Sequence, residues 1–407
     1  MTSDQRFVIV GGGLAAAKVA EALRDNDFAG TVTLISAEDY LPYERPPLSK
    51  EHLAGKKSLE EFTVDPGQWY RDHHIDVRLG TEVGAIDPSG KTVTLPDGST
   101  LGYDKLALAT GSTPRRLPIP GMDAHGVYTL RTIADSDSLI ELFGSARRLV
   151  IIGAGWIGLE VASAARAAQV EVTIVESAEL PLLAALGPEM GRVFADLHRD
   201  HGVDLRFGAQ VEAITTHRAE TDLATGVRLA DGTVIEGDAV LVAIGARPNI
   251  ELATDAGLAT DGGVLVDASL ATSDPNIVAV GDIASEQHPR LGRRIRVEHW
   301  ANALNQPAVA AQTMLGKSAS YDRLPYFFTD QYDLGMEYTG FAAPGEYARV
   351  VVRGDVGKRE FVAFWLDGDN RVLAGMNVNV WDVTDRIKEL IGQQVDPERL
   401  ADTSASL

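Results

Sequence analysis

The 407-residue chain contains no cysteine. That excludes disulfide bonds, thiolate metal sites and redox-active cysteines, single or paired. Positive charge is also scarce. Lys and Arg number 37 against 58 Asp and Glu, a formal net charge of −21. Such a balance speaks against a broad nucleic-acid-binding face. Apolar runs are short and interrupted by glycine, far below the ~20 residues that span a bilayer. The chain enters an apolar strand by Phe7, with no basic stretch and cleavage site before it, so a cytoplasmic location is expected. His73 and His74 are adjacent and poorly placed to share one metal. No carboxylate–histidine spacing marks a site, so no metal is expected.

What the chain has is ordinary soluble composition, 45% apolar and 23% charged. Its length predicts two or three domains. Two stretches read as a strand running into a glycine turn and a helix: FVIVGGGLAAAKVA at 7–20 and LVIIGAGWIGLEVA at 149–162. Each leads to a second strand, TVTLIS at 31–36 and VEVTIVE at 170–176. Each then leads to a hairpin with Asp-Gly at its tip, an apolar strand and another glycine turn. The spacing from Asp97 to Gly111 equals that from Asp231 to Gly245, 14 residues in each copy. Two copies of one βαβ architecture therefore predict two doubly wound domains. From about residue 323 strands and a final helix alternate, predicting a third, α+β domain. Trp365 and Trp381 fall in it and are expected in its core. The tail ADTSASL, 401–407, is expected to be loose.

In the first turn Gly11 permits the tight bend and Gly13 lets a pyrophosphate approach the backbone. Leu14, Ala15 and Ala16 open the helix, Ala16 being small enough for helix–strand packing. The acid at the end of the second strand is Glu38, with Asp39 close enough to compete. The second turn offers Gly153, Gly155 and Gly158, with Ile157 on the opening helical turn and Glu176 as its acid. A carboxylate there accepts from ribose hydroxyls and repels a 2′-phosphate. The next ten residues, SAELPLLAAL, carry no Arg or Lys to receive one, so NADH is expected over NADPH. A flavin is the natural companion of a nicotinamide, since it accepts hydride and can release electrons singly.

YERPPLSK, LALATGSTPR, GAGWIGLE, ATSDPNIVAVGD, VEHWANALNQ and PYFFTDQYD together span nearly the whole chain. In combination they resemble the ferredoxin reductase family, the FAD- and NADH-dependent reductases that feed bacterial oxygenases. The resemblance implies an α/β chain with two Rossmann-like dinucleotide-binding domains in a glutathione-reductase-like arrangement, plus a C-terminal α+β domain. The implied boundaries are 1–113 with 247–322 for FAD, 114–246 for NADH and 323–407 for the C-terminal domain. It implies FAD contacts at Gly11, Gly13, Glu38, Arg45, Ala109, Thr110, Gly111, Arg131, Gly281, Asp282, Glu298, His299 and Trp300, and cofactor contact at Gly245. Lys50 and Glu160 are implied to pair beside flavin N5, where a lysine would stabilise negative charge on reduced flavin and would itself need a counter-ion.

The implied acceptor is a [2Fe-2S] ferredoxin serving a haem monooxygenase or a ring-hydroxylating dioxygenase, met transiently by a monomer or weak dimer. Arg290, Arg293, Arg294 and Arg296 form a basic cluster in an acidic chain. They are placed either to steer an acidic ferredoxin or to pair with local carboxylates. One departure stands out. The family often has Trp-Phe-Trp-Ser-Asp-Gln where this chain has Tyr326 to Gln331, YFFTDQ, which puts in doubt any role for an indole there. Rubredoxin or a quinone is the alternative acceptor. A flavin redox sensor similar to apoptosis-inducing factor is the alternative class.

Overall fold

A computed structural model of the chain describes residues 4–218 and 222–407. Two compact units emerge, both discontinuous in sequence: residues 1–45, 58–113 and 247–325, and residues 46–57, 114–246 and 326–407.

The first unit is built on a five-stranded sheet in the order Ile277–Ala279, Lys105–Leu108, Arg6–Val10, Thr31–Ile35, Ile75–Arg78. Every pairing in it is parallel. Its inner strands are mostly apolar runs, as a parallel sheet covered on both faces requires, and Phe7, Val8, Ile9 and Val10 are all buried. Helices Leu14–Asp25 and Trp300–Met314 pack against each other beside it. The 91–104 hairpin forms the Thr92–Thr94 and Thr100–Gly102 strands of a small antiparallel sheet.

The second unit repeats the plan. Its parallel sheet runs Asp204–Arg206, Glu171–Val175, Arg148–Ile152, Ala239–Val242, Val127–Tyr128. In both sheets the glycine-turn strand sits between its βαβ partner and the closing strand. This is the doubly wound arrangement expected from the two repeats, and it puts each glycine turn at the carboxyl end of its sheet, where such folds bind ligands.

The C-terminal stretch adds a five-stranded antiparallel sheet in the order Tyr326–Gln331, Leu334–Gly340, Val372–Val378, Glu360–Leu366, Arg349–Asp355. Helices Thr384–Leu390 and Pro397–Ala401 follow. Trp365 is fully buried and its Nε1 donates to the Leu186 carbonyl at 3.1 Å. Trp381 is not core: it is 55% exposed. Its indole lies over Gly335, where a Cβ would come within 2.6 Å of it, on a stretch where Asn379 and Asp382 are both at positive φ. The tail is not loose either. Arg353 donates to the carbonyls of Asp402 and Ala405, and Arg386 donates to that of Leu407 at 2.6 Å. Two guanidinium groups, each with several donors in a fixed plane, hold its backbone in place.

Candidate active site

Both glycine turns divide labour among their glycines in the same way. Gly11 has φ +141° and Gly153 φ +103°, a region L-residues avoid. A Cβ on Gly11 would stand 2.1 Å from the Ala109 carbonyl oxygen, and one on Gly153 2.5 Å from that of Ala243. Each is pressed against the closing strand of its sheet. Gly13 and Gly155, by contrast, have nothing within 4 Å of where a Cβ would lie. They cap helices Leu14–Asp25 and Trp156–Ala167 without any side-chain hydrogen bond. The space beside the start of each helix is therefore open, and the first N–H groups of a helix, which lack intrahelical partners, can receive a pyrophosphate there. A side chain at either position would fill that cradle, so the residues present fit a dinucleotide. At the third position a Cβ on Gly158 would come within 2.3 Å of the Gly153 oxygen, whereas Ala16 is accommodated and fully buried.

In the first unit Glu38 is half-buried and Asp39 is exposed. Tyr43 donates to Glu38 Oε2 at 2.5 Å and Arg45 to Oε1 at 2.6 Å, while Arg45 also donates to the Tyr43 hydroxyl at 3.1 Å. Arg45 thus serves Glu38, whereas Lys50 belongs to the second unit. The Ala109–Thr110–Gly111 turn is pinned by Asn249, whose Nδ2 donates to the Thr110 carbonyl at 2.9 Å. Gly281, at φ +74°, donates its N–H to Gln306 Oε1 at 2.7 Å. Asp282 accepts from the Ser112 hydroxyl at 2.7 Å. His299, pulled down to about 4 by burial with Asp282 opposing, is neutral near pH 7, and Trp300 starts the helix after it.

The basic cluster is partly consumed by the fold. Arg294 donates to the carbonyls of Val266 and Ser285. Arg296 donates to the Asp282 carbonyl at 3.0 Å and to Glu298 at 2.5 Å. Arg290 is exposed, and Arg293 lies half-buried on the Arg293–Arg296 strand.

In the second unit Glu176 accepts from the N–H of Ala154, inside the glycine turn, at 2.7 Å and from that of Ala178 at 2.8 Å. The Ser177 hydroxyl donates to Glu176 as well, at 3.0 Å, so the acid is held at the mouth of the turn. Ile157, on the opening turn of the helix, is 40% exposed, and Gly245 lies exposed past the closing strand. Arg131 precedes helix Ile133–Phe143, its N–H donating to Asp135, whose carboxylate caps that helix.

Glu160 is 4% exposed, on the inner face of the Trp156–Ala167 helix. Lys50 Nζ lies 2.8 Å from its Oε1, as the resemblance implies for these two residues. Two further donors converge there: Ser49 Oγ at 2.5 Å on Oε2 and Thr329 Oγ1 at 2.6 Å on Oε1. Lys50 Nζ also sits 5.2 Å from the centre of the Phe328 ring, a cation–π distance. Removing one member of such a buried pair costs roughly 3–5 kcal/mol. Burial lifts the neighbouring Asp330 carboxyl above its usual range; Lys50 opposes this, while Glu160, Glu51 and Glu337 add to it.

Ser49 and Thr329 lie within motifs that stand out in the sequence, yet the sequence assigns neither of them a contact. Asn249 and Gln306 are equally invisible there, since their partners are 139 and 25 residues away. His73 stacks on Trp69 with ring centroids 4.2 Å apart and bonds its carbonyl. Among the described residues no group of three or more His, Asp or Glu is placed to hold a metal ion, and no helix is long and apolar enough to cross a membrane.

Residues 5–306 match the pyridine nucleotide-disulphide oxidoreductase family, and residues 326–407 match the reductase C-terminal family. The chain is 41% identical to the 5,5′-dehydrodivanillate O-demethylase ferredoxin reductase subunit of Sphingobium sp., over 98% of this chain and 97% of that one. It is 39% identical to rhodocoxin reductase of Rhodococcus erythropolis, over 98% of this chain and 93% of that one. A crystal structure of a covalent putidaredoxin reductase–putidaredoxin complex superposes with a TM-score of 0.93 at 36% identity, covering 99% of this chain and 97% of that one. The chain belongs to the pyridine nucleotide-disulphide oxidoreductase family and, within it, to the ferredoxin reductases.

Proposed function

We propose that this protein is an FAD-containing, NADH-dependent ferredoxin reductase whose acceptor is a [2Fe-2S] ferredoxin of an oxygenase system. The observation that carries the reading is the buried Lys50–Glu160 pair at 2.8 Å, its acid on the second glycine-turn helix, in a chain with no cysteine to do disulfide chemistry. The proposal assigns residues 1–113 and 247–322 to FAD, 114–246 to NADH and 323–407 to the C-terminal domain.

When bound, FAD would supply two-electron acceptance from NADH and one-electron release to an acceptor. The protein's part is binding and electrostatics. The open N–H groups after Gly13 would hold the FAD pyrophosphate, Glu38 its adenosine ribose and Asp282 its ribityl chain. The N–H groups after Gly155 would hold the NADH pyrophosphate. Glu176, already accepting two backbone N–H bonds, would accept ribose hydroxyls and repel a 2′-phosphate. Lys50 would present positive charge toward the flavin, with Ser49, Thr329 and Glu160 fixing its orientation. Within the basic cluster, Arg290 on the surface would steer an acidic ferredoxin. The reading includes a cytoplasmic location, a transient complex and a monomer or weak dimer.

The test is a steady-state panel with the FAD-loaded protein. NADH is the donor, and [2Fe-2S] ferredoxins, rubredoxin and a quinone are the acceptors. Ferredoxin reduction well above the other two supports the proposal. Preference for quinone or rubredoxin defeats the partner assignment, and slow turnover with every acceptor, with an NADH-dependent change in oligomeric state, favours a redox sensor.

A further inference from the structure

Beyond Thr329, hydrogen bonding continues inward through side chains with no part in binding either dinucleotide. Thr329 and Gln331 alternate on one face of the Tyr326–Gln331 strand. Gln331 Nε2 lies 3.1 Å from Thr329 Oγ1. Gln331 Oε1 lies 2.9 Å from His198 Nε2. His198 Nδ1 lies 3.2 Å from the Tyr332 hydroxyl. Thr329, Gln331 and His198 are all at most 1% exposed, so each polar atom depends on its neighbour.

The direction of the chain follows from counting protons. Glu160, as a carboxylate, only accepts, so at 2.6 Å the single Thr329 hydroxyl proton must point to it. The Thr329 oxygen can then only accept from Gln331, which fixes the glutamine with its NH₂ toward Thr329 and its oxygen toward His198. That oxygen needs a donor, so His198 carries its proton on Nε2. Burial pulls His198 down to about 4, with the Gln331 bond opposing, so near pH 7 the ring has one N–H and an accepting Nδ1. The Tyr332 hydroxyl, raised by burial, keeps its proton and supplies it there. Reversing any link would set a hydroxyl lone pair against the Glu160 carboxylate. The amide in the middle carries no proton onward, so the chain orients and does not conduct.

We propose that Gln331 and His198 are positioning residues for the Lys50–Glu160 pair, acting through the hydroxyl of Thr329. The inference rests on the reading of that pair as the charge beside the flavin. Without the chain the Thr329 hydroxyl is free to turn, Glu160 loses one of its three side-chain donors, and the Lys50 ammonium is no longer held in one place.

The experiment compares FAD-loaded Gln331→Met, Thr329→Val, Thr329→Ser and Lys50→Met with the parent. The readouts are the anaerobic rate of flavin bleaching at saturating NADH, the apparent Kd for NADH and the visible flavin spectrum. Gln331→Met and Thr329→Val are expected to slow bleaching about tenfold, the scale of one lost hydrogen bond to a charged group. Their Kd for NADH should match the parent's, and their spectra should shift in the same sense as that of Lys50→Met. Thr329→Ser, which keeps the hydroxyl, should restore parent behaviour. If Gln331→Met does not fold, Thr329→Val against Thr329→Ser carries the comparison. Parent rates and spectra in Gln331→Met and Thr329→Val, with Lys50→Met slowed, would overturn the positioning role and leave the function standing. Parent behaviour in Lys50→Met itself would overturn the reading of the pair, and this inference with it.

Discussion

At the fifth residue of its helix the first glycine turn carries Lys18, and the second carries Glu160. Lys18 is half-buried and reaches Glu21 on its own helix at 2.6 Å. Such a local pair is worth a few tenths of a kcal/mol. Glu160 is buried and gathers Lys50, Ser49 and Thr329, all from distant parts of the sequence. The acids that end the second strands differ as well. Glu38 is gripped by two side chains, Tyr43 and Arg45, whereas Glu176 is gripped by two backbone N–H groups, one of them from its own glycine turn, and by the adjacent Ser177 hydroxyl. Two copies of one backbone plan can hold two dinucleotides, but the first carries a local, partly exposed pair on one helix and the second a buried pair joined across 110 residues of sequence.

Breaking the first turn should have the largest effect. Gly11→Ala places a Cβ 2.1 Å from the Ala109 oxygen at a φ of +141°, and the purified protein is expected to be colourless, without FAD. Gly153→Ala, the matching change in the second turn, should leave the protein yellow by absorbance but hard to reduce with NADH. A colourless Gly153→Ala would reverse the assignment of the two sites. Glu160→Gln keeps the shape and removes the charge opposite Lys50; hydride transfer should fall about a hundredfold, the loss of roughly 3 kcal/mol of fixed electrostatic support, as read by stopped-flow bleaching. Glu176→Arg should narrow the preference for NADH over NADPH by about tenfold or more, the value of one charge-assisted hydrogen bond, measured as the ratio of kcat/KM for the two donors.

A smaller effect separates the units by pH. His198, in the second unit, is held near 4 by burial against an ordinary 6.5. Between those values the unfolded chain binds the extra proton, so stability falls as pH drops. Glu286, in the first unit, is lifted to about 7 from 4.5 by burial, with Gln306 opposing. There the folded chain holds the proton, so stability falls as pH rises from 4.5 to 7. His198→Gln should flatten the acid-side decline in Tm, and Glu286→Gln the opposite slope, each by about 2–4 °C. Arg290→Ala should change least, raising the KM for ferredoxin about two- to threefold at low salt and less at high salt, as a rim charge does.

Much of this organisation is legible in the residues. Gly11, Gly13, Gly153, Gly155 and Gly158 carry a local signal, because the turn, the approach and the packing each need a missing side chain within a few residues of the strand. The two acids are found by their distance from those turns. Lys50 and Glu160 are reached through resemblance, since nothing in so long a sequence separation implies a pair. The hydroxyls of Ser49 and Thr329 and the Gln331–His198 chain carry no signal: serine, threonine and glutamine are common on surfaces, and only burial turns them into obligatory donors. The tail and Trp381 go the other way. Composition marks 401–407 as unstructured, but two arginines from distant elements supply donors to its carbonyls. Indoles are usually buried, but Trp381 lies on the outside of the sheet against Gly335 and is 55% exposed.

The most direct test of the account is anaerobic stopped-flow of the FAD-loaded protein, first with NADH or NADPH and then with a [2Fe-2S] ferredoxin. Rapid bleaching by NADH, much slower bleaching by NADPH and fast re-oxidation by the ferredoxin is the expected result. Equal bleaching by both donors would contradict the role of Glu176, and re-oxidation by a quinone but by no ferredoxin would contradict the acceptor.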